Sequence, residues 1–170
     1  MAMPRILACL VALLLVAAFF MPYLSAKEEY RAGFEVGSFI PILKNADMDV
    51  GDLLHISKYD IGRIFVLGAD EAGISKDDSI TMAVLTYGAA ALSVLALLWA
   101  LSGRPILLIL TGALVWLADH VLRNLMKGSA SSYVYDHGVA YWLYPACLIA
   151  LAVLAIWMLI VRTSRRFSHR

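Results

Sequence analysis

The sequence predicts an all-α integral membrane protein: a four-transmembrane-helix bundle with a small α or α+β extracytoplasmic cap formed by the first loop. Three observations carry this expectation. Hydrophobic residues make up 62 % of the chain and charged residues only 16 %, against roughly 45–50 % and about a quarter in an ordinary soluble domain. The charges leave four long gaps, at 6–26, 79–103, 105–118 and 138–161, and a bilayer span needs about 20 mostly apolar residues. The third gap reaches that length if Asp119, His120 and Arg123 sit at the membrane edge. Finally, the charges are sorted by side. With the N-terminus cytoplasmic, Arg5, Arg104, Arg162, Arg165, Arg166 and Arg170 face inward, and all 13 acidic residues fall on outer segments or at the outer end of the third span. Short inner segments dense in Arg and free of acid follow the positive-inside rule. This reading excludes a soluble enzyme, a nucleic-acid binder and a secreted disulfide scaffold. The net charge of +1 says nothing about partners.

The first span, residues 1–24, has the positive start of a signal peptide. Its apolar stretch from Ile6 to Leu24 is longer than the roughly 7–15 residues of a signal core, and Leu24 is too bulky for the position three before a cut at Ala26. A retained helix is therefore expected. Residues 25–79 form the outer cap. Phe34-Glu35-Val36 alternates briefly, and 39–43 is an apolar patch. Asp49 is placed to cap a short helix carrying Val50, Leu53 and Leu54, and Asp60 to cap a second one, although Ile64 to Leu67 reads equally as a strand. A segment of this size without disulfides is marginal as an independent domain, so it should pack on the outer helix ends.

Ser75 can cap the second helix, whose membrane span is 80–101, with Asp78 as the acidic partner of a capping-box variant. Ala89, Ser93, Ala96 and Ala100 then share one helix face, a small-residue stripe that lets backbones approach closely in lipid. Ser102-Gly103-Arg104-Pro105 is a tight turn, with Gly103 suited to the left-handed position after a helix and Pro105 to the first turn of the next. It forces the spans at 80–101 and 105–123 into an antiparallel hairpin. Residues 124–138 form a short outer loop containing Gly128-Ser129-Ala130-Ser131-Ser132. The fourth span, 139–161, opens with Tyr141, Trp142 and Tyr144 as an aromatic belt and offers Ala146, Ala150 and Ala155 as a close-packing face. Residues 162–170 are a basic cytoplasmic tail that anchors topology and can attract anionic headgroups. Cys9 and Cys147 fall inside spans as packing residues, with no redox pair.

The sharpest chemical constellation is a doubled dipeptide, Asp119-His120 and Asp136-His137, with His55 within reach of the same outer side. Carboxylate and imidazole together suit a divalent metal such as zinc. Against this, Asp119 and Arg123 are spaced to pair on one helix face at the interface, where water still reaches the carboxylate, and no tight spacing such as His-x-x-x-His occurs. No charge lies near the middle of any span, and no Gly/Pro-broken helix pair of the transporter kind is present. The sequence thus favours a non-enzymatic accessory or interaction subunit without a cofactor, integral to the plasma (inner) membrane with both termini cytoplasmic. Its partners are the lipid bilayer and other membrane proteins or a second copy, not nucleic acid. Ion or small-ligand handling through Asp119, His120, Asp136 and His137 is the alternative. The layout of spans and loops resembles that of claudin-like tetraspan proteins, in topology only. The Trp-rich stretch with a cysteine pair that marks their first outer loop is absent here.

Overall fold

The chain, seen in a computed structural model, is described at residues 2–34, 44–70, 73–127 and 131–167. The expected patch at 39–43, the Glu35-Val36 part of the alternation, residues 128–130 of the short loop and the last residues of the tail lie outside these ranges. Four long helices form the frame: α1 (Ala2–Ala18), α5 (Lys76–Ser102), α6 (Pro105–Lys127) and α8 (Val139–Phe167). They pack as a four-cornered bundle in which α1 and α6 each contact both α5 and α8. The short elements are β1 (Pro22–Ala26), α2 (Glu28–Phe34), α3 (Val50–Leu54), β2 (His55–Ser57), α4 (Lys58–Leu67), α7 (Ser131–Val134) and β3 (Tyr135–His137). All of these lie at the bundle end where α1 and α6 finish and α5 and α8 begin.

Three helices, α5, α6 and α8, are long and apolar enough to cross a membrane; α1 is a shorter apolar helix. The helix expected through residue 24 stops at Ala18, and the chain re-enters as a strand at Pro22. Pro22 explains the stop: it has no N–H to donate and disfavours a helical conformation at Met21. The first strand is the centre of a three-stranded antiparallel sheet ordered β2-β1-β3. Leu24 lies between Ile56 and His137, and Ser25 between His55 and Asp136. Directly paired residues share a sheet face, so Leu24, Ile56 and His137 are on one side and Ser25, His55 and Asp136 on the other.

The helix caps follow the sequence closely. Ser75 Oγ accepts from the Asp78 N–H at 3.2 Å. Gly103 is left-handed at φ 64°, and the Arg104 N–H returns to the Trp99 carbonyl at 3.0 Å, closing the hairpin turn before Pro105. The Asp49 N–H donates to Asp52 Oδ2 at 2.9 Å, opening α3. The cap of α4 is one box earlier than expected. Ser57 is the capping residue and Asp60 its third-position partner, receiving the Ser57 N–H at 2.9 Å. Residues 64–67 are helical, not a strand.

The core of the bundle is built from small residues. Ala89, Ser93, Ala96 and Ala100 of α5 are buried, as are Ala8, Ala12 and Ala18 of α1. On α8 the packing face is Tyr144, Cys147, Leu148, Leu151 and Ala155. Ala146, expected on that face, is exposed and Ala150 half-buried. The bulky residues Tyr144 and Leu148 set the inward stripe by filling the space beside the alanine faces of α1 and α5.

Candidate functional site

Where the sheet meets the bundle, the structure buries a charge network. Lys58, the first residue of α4, reaches down onto α6 and donates through Nζ to Asp119 Oδ1; the two side chains are 1 % and 3 % exposed. Asp119 Oδ2 accepts a second cation, Arg123 Nε, at 2.7 Å one turn along α6. The i,i+4 pairing of Asp119 with Arg123 is thus present, but the carboxylate is not open to water as the sequence suggested. The third partner arrives from a cap helix distant in sequence. One carboxylate between two cations leaves the cluster with an excess positive charge in the ionised state.

Tyrosines wall this network. Lys58 Nζ sits 3.3 Å from the centre of the Tyr144 ring and 5.0 Å from that of Tyr23. The Arg123 guanidinium lies 3.9 Å from the Tyr141 ring centre and 5.8 Å from that of Tyr23. Such ring faces attract cations, more so where water is excluded. The Tyr144 hydroxyl is satisfied by Ser93 Oγ at 3.0 Å. Tyr144 and Tyr141 therefore turn toward the charges rather than forming an aromatic belt, while Trp142 is exposed.

Pro145 completes the arrangement. Because it lacks an N–H, it cannot bond the carbonyl four residues earlier, and that carbonyl, of Tyr141, accepts instead from Arg123 Nη2 at 2.6 Å. Burial pushes the Lys58 ammonium down to about 8, against which the adjacent Asp119 carboxylate acts in the opposite direction. The Tyr23 hydroxyl is buried with no hydrogen-bond partner among the described residues.

The residues expected to gather round a metal are spread over separate places. Asp119 is engaged by Lys58 and Arg123. His120 is exposed and stacks on Trp116 with ring centres 5.3 Å apart. Asp136 is exposed on β3, beside Ser25, whose Oγ lies 3.4 Å from His55 Nδ1. His137, on the other sheet face, stacks on Tyr141 at 3.8 Å. Among the described residues, no group of three or more His, Cys, Asp or Glu side chains is placed to hold a metal ion.

Sequence reasoning missed Lys58, Tyr23 and Tyr144. Two signals pointed to them: a carboxylate at the edge of the hydrocarbon requires a compensating cation, and Pro145 leaves a helix carbonyl open. Two neighbouring cavities lie at this end of the bundle, and the smaller one adjoins the network. The larger, about 440 Å³, lies between α4, the sheet and the adjoining ends of α5 and α6. The smaller, about 170 Å³, is lined by Tyr23, Arg123, Lys127, Asp136, His137 and Tyr141, among others. Against known family models, curated proteins and solved structures, the chain matches none.

Proposed function

We propose that this protein is a non-enzymatic four-span membrane subunit of the plasma (inner) membrane, with both termini cytoplasmic and an outer cap that engages another membrane protein. The observation that carries the reading is the buried Lys58–Asp119–Arg123 network. Taking charges out of water costs several kcal/mol per ion, which their attraction does not always recover. A segment that merely joined α1 to α5 would need no such fastening. A segment that must present one fixed surface does, because the ion pair sets its position on the bundle. That surface carries exposed acids, Glu28, Glu29, Asp47 and Asp49, and α7 adds the exposed ring of Tyr133 at the same end of the bundle.

In this reading α1 is the fourth span. It packs between α5 and α8, its inner face is alanine, and its outer face shows Ile6, Leu10 and Leu13, a surface suited to lipid. The test is photo-cross-linking in native membranes, with the reactive group placed at Tyr30 or Tyr133 in the cap and, as a control, at the lipid-facing Leu110. A discrete protein adduct from the cap positions and none from Leu110 is expected. Absence of any adduct from the cap, or a stoichiometric divalent metal in the purified protein, overturns the proposal in favour of ion handling.

A further inference from the structure

The two neighbouring cavities share three wall residues, Leu24 of β1, Met126 of α6 and Tyr135 of β3. Their chemistry differs sharply. The larger is faced by Ile56, Ile61, Ile64, Phe65, Met82 and Leu125, and its polar lining among the described residues comes from Asp78, Thr81 and Tyr135. Its volume of about 440 Å³ falls in the usual range of small-ligand pockets, roughly 300–1,000 Å³. The smaller one brings together Arg123, Lys127 and His137, with Asp136 as the single acid among the described lining residues. Lys127 is exposed at the end of α6 and makes no ion pair among the described residues. Tyr23 also lines this cavity, with its side chain buried behind the wall.

An apolar compartment and a basic compartment separated by three side chains match an amphiphile in shape and charge. We propose that the paired cavities bind one phospholipid from the leaflet on the sheet side of the bundle. Its phosphate sits with Lys127, Arg123 and His137, and one acyl chain lies over Met126 into the Ile64–Phe65 compartment. Lys127 supplies charge from the open side and His137 a ring N–H, while Arg123, already fixed by Asp119 and the Tyr141 carbonyl, supplies a rigid donor plane. An excess of basic over acidic groups selects an anionic headgroup over a zwitterionic one. The inference rests on the protein lying in a membrane and not on the partner proposed for the cap.

The experiment is native mass spectrometry and equilibrium binding on the full chain in detergent, with dioleoyl phosphatidylglycerol, dioleoyl phosphatidylcholine and inorganic phosphate as separate probes. Phosphatidylglycerol is expected to bind one-to-one, at least tenfold more tightly than phosphatidylcholine, and phosphate alone not measurably. Lys127→Gln, on an exposed side chain, should weaken phosphatidylglycerol about tenfold. Leu125→Trp, at a half-exposed position on the rim of the apolar cavity, should weaken both lipids alike. Each variant is compared at the same melting temperature as the parent, so that a folding defect is not read as lost binding. Equal affinity for both lipids that is unchanged by both variants means loosely associated boundary lipid and overturns the proposal. So does phosphate binding as well as the lipid, which would make the apolar cavity irrelevant. A stoichiometric protein found in place of lipid overturns this site but leaves the cap reading standing, whereas lipid binding with no cap adduct does the reverse.

Discussion

At the scale of single residues, Asp119 carries the most consequence. It pairs with both Lys58 and Arg123 from a position 3 % exposed. Removing one partner of a buried ion pair leaves an uncompensated charge and costs about 3–5 kcal/mol. Asp119→Asn is therefore expected to fall in that range, measured as loss of unfolding free energy in detergent. Lys58→Met should cost less than half as much, because Asp119 keeps Arg123. The reverse ranking would show that Arg123 alone does not compensate the buried Asp119 carboxylate. Only half of this cluster was legible in the sequence. The spacing of Asp119 and Arg123 announces a helix-face pair, but nothing in Ser57-Lys58-Tyr59 separates a buried lysine from a solvated one, because its partners arrive through tertiary contact.

The same lysine gives a pH signature. Burial lowers it from 10.5 to about 8 in the folded state. Between those values the unfolded chain holds more protons than the native one, so the contribution of this group to stability rises with pH across that window. Below about pH 8 its cost is constant. Unfolding midpoints measured from pH 7 to 10 should therefore show an upward component in the wild type that Lys58→Met lacks. A difference between the two proteins that stays flat over this range would rule out titration of Lys58 there.

At the scale of elements, helices and turns were legible and strands were not. Ser75, Gly103 and Pro105 mark helix boundaries through local chemistry that acts within a few residues. The stripe Ala89, Ser93, Ala96 and Ala100 follows helical periodicity and is buried as that spacing requires. The strands have no such local cause. Pro22–Ala26 continues an apolar stretch, and β2 and β3 are three residues each; their pairing exists because the bundle brings distant chain ends together. Gly138 shows how close that approach is. Its N–H donates to the Tyr23 carbonyl at 2.9 Å, and a Cβ there would run into the Pro22 carbonyl. Gly138→Ala should therefore destabilise by about 1–3 kcal/mol, the usual cost of overpacking, since backbone rather than a movable side chain stands in the way. Gly112→Ala is the control: a Cβ meets nothing within 4 Å, and alanine is the better helix former. Equal melting temperatures for the two variants would mean that β1 and β3 do not meet as described.

At the scale of the whole molecule, the exterior of the bundle decides its surroundings. Leu10 and Leu13 on α1, Leu110 and Leu114 on α6, and Ile149 and Val153 on α8 are each more than half exposed. Soluble proteins rarely show contiguous apolar patches of such extent, and in lipid no penalty arises. The helix α1 is the delicate case. Its 17 residues at about 1.5 Å each span about 25 Å, short of a hydrocarbon core of about 30 Å. A short span is accommodated by local thinning of the bilayer or by flanking side chains that reach the interface, and Arg5, which donates to the Leu101 carbonyl, is such a side chain. Crossing by α1 can be checked with single cysteines at Met3, Glu29 and Ser164, in a chain whose Cys9 and Cys147 are replaced. An impermeant maleimide added to intact cells should label position 29, and positions 3 and 164 only after permeabilisation. Labelling of positions 3 and 29 together would mean that α1 lies on the surface and the chain crosses three times. Labelling of 164 in place of 29 would reverse the orientation, carrying Arg162 outward against the charge asymmetry that set it.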